Sequence, residues 1–272
     1  MLDFFYSNLY GGEKILNFAS NLSVYLYYIN MEKSVFKYRI EPSHVDFTSR
    51  ASVSSMCDLI LHAAGRDAHN RGFGIDYLAG KNYGWVLSRL CVELDYIPKE
   101  YSEFTLHTWI GGYNRLASTR NFTLTDEQGV EFGRAVSQWC MLDFDTRRPV
   151  DMTTLAKVHD GTIVDCPSPC EAPRRLGAVG GESLIEHRVS YSDIDFNRHM
   201  NTMRYIDIIF DSMPIEVPEK LEGVRMDINF VKESLYGDQI SLYGEQGDES
   251  VRLFEFKNEA GEALCRFSLE LK

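Results

Sequence analysis

Three side chains spaced two apart, Asp195, Asn197 and His199, hold the chemical promise of this sequence. A carboxylate, an amide and an imidazole brought to one point suit general acid–base work on a small polar group, because imidazole changes charge near neutral pH. They sit in residues 191–213, YSDIDFNRHMNTMRYIDIIFDSM, where Asp193 is a fourth polar member and the later residues turn apolar at helical spacing. In an extended chain, residues two apart point to one face, so an extended segment would make the three converge. The same residue types also build a turn ahead of a helix, since Asp and Asn favour turns and N-caps. Both readings stand at this point.

The flanking sequence predicts the elements that must hold them. Residues 35–40 alternate as a strand. Val53, Met56, Leu59, Ile60 and Ala63 then recur at helical spacing, with Ser52 placed to cap. Strand-like runs follow at 83–96, 103–110, 116–125 and 130–144, separated by Pro98, Gly111-Gly112 and the turn Asp126-Glu127-Gln128-Gly129, which predicts an antiparallel meander. Residues 150–181 lack periodicity and hold Pro167, Pro169 and Pro173, so they read as a linker. The order then repeats: a strand at 183–191, a helix at about 201–213, and strands at 224–233, 239–244, 250–258 and 263–271.

The repeat has a register. At an offset of 149 residues (195 − 46), Arg39 falls on Arg188, Ser43 on Ser192, Asp46 on Asp195, Phe47 on Phe196, Asp58 on Asp207 and Ile60 on Ile209, without a gap. The expected fold is α+β: two copies of strand, helix and four-strand meander, each sheet wrapping a central helix, the two sheets joined side by side with a groove between them. The expected boundaries are 31–150 and 182–272 for the copies and 151–181 for the linker. Residues 1–30 read as an extension outside the fold, with Met31 as a natural start. The copies differ where chemistry is at stake. Asp46, Thr48 and Arg50 stand where the second copy has Asp195, Asn197 and His199, so only the second keeps a group that titrates near neutral pH.

Composition narrows the function. A net charge of -12 argues against a nucleic-acid partner. The apolar part of the first 30 residues, 22–29, is too short to span a membrane, and no signal-peptide pattern precedes it. Six scattered cysteines suit reduced thiols and a cytoplasmic location. Cys166 and Cys170 in CPSPC have no second matching pair, so spacing predicts no metal site, and no cofactor is expected.

The run DIDFNRHMNTMRYIDIIFDSMP resembles the signature of acyl-acyl carrier protein thioesterases, tandem hot-dog enzymes of fatty-acid synthesis. FTSRASVSSMCDLILHAAGRDA, TWIGGYNRLASTRNFTLTD, AVSQWCMLDFDTRRPV and MDINFVKESLYGD resemble further stretches of that family, and the likeness covers about 33–272. The resemblance implies hydrolysis of an acyl thioester by Asp195, Asn197, His199 and Glu233. The family's cysteine falls on Ser234 here, which disfavours Ser234 as a nucleophile and favours water activation by His199 with Glu233; attack by Glu233 itself stays open. In this picture Asp195 orients the loop and bonds helix-start amides, and the first amides of the helix receive the oxyanion. The first copy would hold the acyl chain, at Met56, Leu59 and Ile60. The partner implied is acyl carrier protein with a phosphopantetheine-linked acyl chain, docking at Arg147-Arg148 or Arg174-Arg175, and a homodimer is possible. An acyl-CoA thioesterase and a non-catalytic acyl-binding protein are the competing readings.

Overall fold

Alternation along 34–39 buries one face of β1 (Ser34–Arg39), which pairs antiparallel with β3 (Glu103–Tyr113). A computed structural model describes residues 32–75, 78, 80–155, 162–246 and 251–272. The expected extension at 1–30, the start at Met31 and residues 156–161 of the expected linker lie outside the described residues. Between β1 and the meander runs α1 (Val53–Asn70), started by Ser52, whose hydroxyl accepts from the Ser55 N–H at 3.1 Å. The meander is β2 (Tyr83–Leu94), β3, β4 (Ser118–Asp126) and β5 (Glu131–Asp143), with a short β6 (Arg148–Pro149) paired to β5. The glycines at 111 and 112 do not end β3. They form a bulge between Ile110 and Gly112, and Gly111 leaves the room that the Asn121 side chain occupies.

The second copy begins with β7 (Ser183–Arg188) and α2 (Thr202–Asp211), where Asn201 caps by accepting from the Met203 N–H at 2.9 Å. A short helix, α3 (Glu216–Lys220), follows, too brief to leave a helical period in the sequence. Then come β8 (Val224–Phe230), β9 (Gln239–Gln246), β10 (Val251–Asn258) and β11 (Ala263–Leu271).

The two sheets fuse into one. The order is β1-β3-β4-β5-β2-β8-β11-β10-β9-β7, and the seam is the antiparallel pair β2–β8, from Arg89 opposite Asn229 to Leu94 opposite Val224. Gly223 sits at the end of this seam: a Cβ there would lie 2.5 Å from the Leu94 carbonyl oxygen, so only glycine lets β8 approach β2 so closely. On the inner face Leu90, Val92, Leu94, Phe122, Ile228 and Phe267 are excluded from solvent together with Met56 and Ile60 of α1 and Ile209 of α2. Each such side chain contributes about 1.5–3 kcal/mol on burial. α1 and α2 meet, so the core is continuous across both copies.

The expected linker is a strap. Its backbone is satisfied by outward-facing side chains of the second copy, not by a ladder, which is why it shows no periodicity. Asp227 accepts from the Arg174 N–H at 2.9 Å, Asn229 accepts from the Leu176 N–H at 2.9 Å and donates to the Arg174 carbonyl at 2.8 Å, and Glu255 accepts from the Val179 N–H at 3.0 Å.

Candidate active site

The segment before α2 is not extended. A 3-10 turn at Tyr191–Asp193 leads to a bridge between Ile194 and Met200, and the chain reverses in between. The Arg198 N–H donates to the Asp195 carbonyl at 3.0 Å, and Arg198 takes a left-handed φ of 66°. The turn forms because the Asp195 carboxylate captures amides two and four residues on: Asn197 N–H at 2.8 Å and His199 N–H at 3.1 Å. Asp195 thus shapes the turn through its backbone, and its hydrogen bonds stay inside it. The expectation that Asp195 bonds helix-start amides is corrected, because Asn201 caps α2. The amide of Met203 goes to the Asn201 side chain and that of Arg204 to the Asn201 carbonyl at 3.1 Å, so neither is left for an oxyanion.

His199 leaves the turn along a second bridge, to Leu235, while the Met200 N–H donates to the Ser234 carbonyl at 2.9 Å. This brings in the segment after β8. His199 Nε2 lies 3.3 Å from Glu233 Oε2. The same carboxylate oxygen accepts from Arg147 Nη2 at 3.4 Å. His199 and Glu233 are each about one third exposed, at 33% and 34%, so water reaches both. Asn197 is exposed, and its amide donates to Asp195 Oδ2 at 3.4 Å. The arrangement can take a proton from a water beside the pair and hold the resulting charge on an imidazole flanked by a carboxylate.

Ser234 is buried, and its hydroxyl accepts from Tyr205 Oη at 2.8 Å. Burial pushes the Tyr205 phenol far above its ordinary range, so it stays a donor and not a base. Among the described hydrogen bonds, Ser234 Oγ has no imidazole partner, as a nucleophile would need.

Asp193 belongs to the scaffold. Its buried carboxylate accepts from the Ser190 N–H at 2.7 Å, Ser190 Oγ at 2.8 Å and Arg204 Nε at 2.9 Å, and lies 2.9 Å from His187 Nε2. Burial alone would raise its pKa, but these donors outweigh it and hold the carboxyl far below the usual carboxylate range. A carboxyl depressed in the folded state contributes stability above its unfolded value, about 3.9, and loses it as pH falls through the folded value. Asp193→Asn should therefore destabilise the chain at pH 7 and less so near pH 3. Denaturant unfolding at both pH values checks this; equal losses would reject it.

The first copy makes the same turn. Val45 bridges Ala51, the Asp46 carboxylate accepts from the Thr48 N–H at 2.8 Å, and Ser49 has a φ of 57°. Arg50, in the place of His199, donates to the carbonyls of Leu221 at 2.6 Å and Glu219 at 2.8 Å. It clamps the end of α3, so one copy of the turn binds the halves together and the other presents an imidazole. A cleft of about 360 Å³ lies beside Arg50, walled by Phe47, Ile97, Arg204, Asp207 and Phe210.

Met56, Leu59 and Ile60 are packed in the core, and they line neither the cleft beside Arg50 nor the one walled by Tyr96 and Pro98. Their faces are buried against the sheet and α2. Arg174 is ion-paired with Glu270 on the strap, beside exposed Arg175, and does not meet the His199–Glu233 pair. Arg147 does. Its turn is built by Asp143, whose carboxylate accepts from the amides of Asp145 at 2.9 Å and Thr146 at 3.0 Å, and Arg147 itself has a φ of 55°. No sequence signal ties it to Glu233, 86 residues away.

Comparison with known proteins agrees with this architecture. The model of the acyl-ACP thioesterase N-terminal domain matches residues 32–155, and that of the C-terminal domain matches 179–271. An oleoyl-acyl carrier protein thioesterase, chloroplastic, of Coriandrum sativum is 26% identical over 249 residues, covering 84% of this chain and 67% of its own length. The chain spans 60% to 67% of the length of the first plant relatives it matches. The crystal structure of an acyl-ACP thioesterase from Bacteroides thetaiotaomicron superposes with a TM-score of 0.82 at 34% identity, covering 90% of this chain and 99% of that one. A 12:0-ACP thioesterase from Umbellularia californica shares the fold alone, with a TM-score of 0.76 at 17% identity over 88% of this chain and 97% of that one. The fold is the tandem hot dog.

Proposed function

The chain belongs to the acyl-ACP thioesterase family, and from that premise we propose that it hydrolyses the thioester between an acyl chain and the phosphopantetheine of acyl carrier protein, releasing a free fatty acid for lipid synthesis. The observation that carries this reading is the 3.3 Å approach of His199 Nε2 to Glu233 Oε2 at a place open to water. His199 and Glu233 take a proton from water as its oxygen attacks the thioester carbon. The tetrahedral intermediate collapses and the thiolate leaves without needing protonation, because a thiol is a far better leaving group than an alcohol or amine. Asn197, fixed by Asp195, stands at the surface of the turn as the hydrogen-bond partner for water or thioester. Arg147 keeps the Glu233 carboxylate turned toward His199.

Acyl carrier protein as donor rests on the family and on the basic pair Arg147-Arg148, both exposed beside the site. A panel of carrier-linked and CoA-linked thioesters of varied chain length tests it. Faster turnover of the carrier-linked series supports the reading, preference for CoA moves the chain to acyl-CoA hydrolysis, and no turnover of either makes it an acyl-binding protein. Reversing Arg147 and Arg148 to Glu should raise KM for the carrier-linked substrate about tenfold more than for a small thioester, the worth of one charge-assisted hydrogen bond. Equal effects on both would reject docking there.

The site needs no second chain, since the first copy supplies Arg147 and the second His199 and Glu233. All six cysteines are free, which supports a reducing compartment and the cytoplasm as location. No helix among the described residues is long and apolar enough to cross a membrane.

A further inference from the structure

The cysteine pair that stands out in the sequence is not the pair that meets in space. Cys170 of the CPSPC motif lies beside Cys91, which is 79 residues earlier (170 − 91) and fully buried. Cys91 is on β2 at the seam, opposite Asp227 of β8. Its side chain points away from the helices, and Glu93, two residues on, shares that outer face. The strap lays Cys170 over both. The two sulfurs and one Glu93 carboxylate oxygen all lie within 4.8 Å of one another.

We propose that Cys91, Glu93 and Cys170 form a binding site for a thiophilic divalent cation of the zinc type, which ties the strap across the seam between the two copies. Two thiolates and a carboxylate are ligands such an ion takes, with a fourth position left for water. A zinc ion needs sulfurs at about 2.3 Å and oxygen at about 2.0–2.2 Å, which puts tetrahedral ligand atoms roughly 3.5–3.8 Å apart. The cluster reaches that spacing by small side-chain movements. A disulfide demands an S–S contact of about 2.05 Å and would take no ligand from Glu93.

The electrostatics suit the ion. The guanidinium groups of Arg225 and Arg134 stand beside the cluster, paired with Glu93. Binding sends both thiol protons to solvent. Arg225 Nη1 engages Glu93 Oε1 and Arg134 Nη1 lies 3.8 Å from Oε2, so two guanidinium groups fix the orientation of the carboxylate. The two thiolates formed on binding offset the two charges of the ion, so the net charge of the buried seam does not change.

The test uses the full reduced chain, stripped with a chelator, titrated with zinc against a chromophoric competitor and separately with cobalt(II). One ion per chain is expected, with a sulfur-to-cobalt charge-transfer band. Affinity should fall at least ~10²-fold in Cys170→Ser and about tenfold in Glu93→Gln, and stay unchanged in Cys166→Ser. Cys170 and Glu93 are only part-buried, so these variants keep the fold that a change at buried Cys91 endangers. Zinc should also raise Tm of the parent chain and not of Cys170→Ser. A missing charge-transfer band, undiminished affinity in Cys170→Ser, or thiol counting that finds Cys91 and Cys170 joined after non-oxidising purification would each overturn the site.

Discussion

His199→Ala should lower kcat on a carrier-linked thioester by at least ~10², the worth of a positioned general base. Glu233→Gln should fall with it, since the two groups meet at 3.3 Å and act as a unit. For the same reason the double variant should lose little more than either single one. The loss is in chemistry and not in folding. The backbone of residue 199 keeps its bridge to Leu235 and its N–H bond to Asp195 whatever its side chain, and the imidazole is one third exposed. Thermal unfolding of His199→Ala within a few degrees of the parent, with kcat down a hundredfold, is the expected pair of results. Near-parental turnover would remove His199 as the base. If Glu233→Gln were silent while His199→Ala was not, water activation would rest on the imidazole alone. Asp195→Ala should cost activity by a different route. It releases the amides of Asn197 and His199, so the turn loosens, and its Tm should fall together with kcat.

The outline of this site was readable because duplication supplies an internal control. Asp46 and Asp195 keep the same turn in both copies, so what differs between Arg50 and His199 marks the working copy. Local rules also sufficed for the caps: Ser52 and Asn201 are equivalent at the 149-residue offset and both bind a first-turn amide. Spacing alone left the conformation open between a strand and a turn. Residues two apart share a face only in a strand, and Asp195 instead folds the chain back through its own side chain. Long-range pairing carries no local signal. Arg147 reaches Glu233 across the join of the two copies, and Cys170 reaches Cys91 because a strap without periodicity is laid on outward-facing polar side chains. Met56, Leu59 and Ile60 show the converse limit. An apolar helical stripe looks the same whether it faces a ligand or a sheet, and here it is buried in the core.

Arg120→Met should destabilise the chain by roughly 1.5–3 kcal/mol, the worth of one buried hydrogen bond between charged groups, because Arg71 still pairs with Asp67. α1 has 18 residues against 10 in α2, and its last turns run on unbroken where the second copy breaks between α2 and α3. They are anchored by Asp67, which is fully buried and ion-paired to Arg120 of β4. Arg71 Nε at 2.7 Å and the Ser34 hydroxyl of β1 complete the carboxylate's partners, and Arg120 also donates to Thr108 Oγ1 at 3.3 Å. Burial by itself would raise the pKa of Asp67. The Arg120 charge and the hydrogen bonds from Ser34 and Arg71 outweigh it and hold the carboxyl below its usual range. Methionine at 120 fills much of the volume but leaves Asp67 with Arg71 as its remaining charged partner. Asp67→Leu combined with Arg120→Met also takes the carboxylate from the nearly buried Arg71, so its stability should lie below that of Arg120→Met alone. Urea unfolding of the two variants at pH 7 decides the matter. A single-variant loss below about 1 kcal/mol, the range of an exposed pair, would mean that the cluster is reached by water and does not anchor the helix.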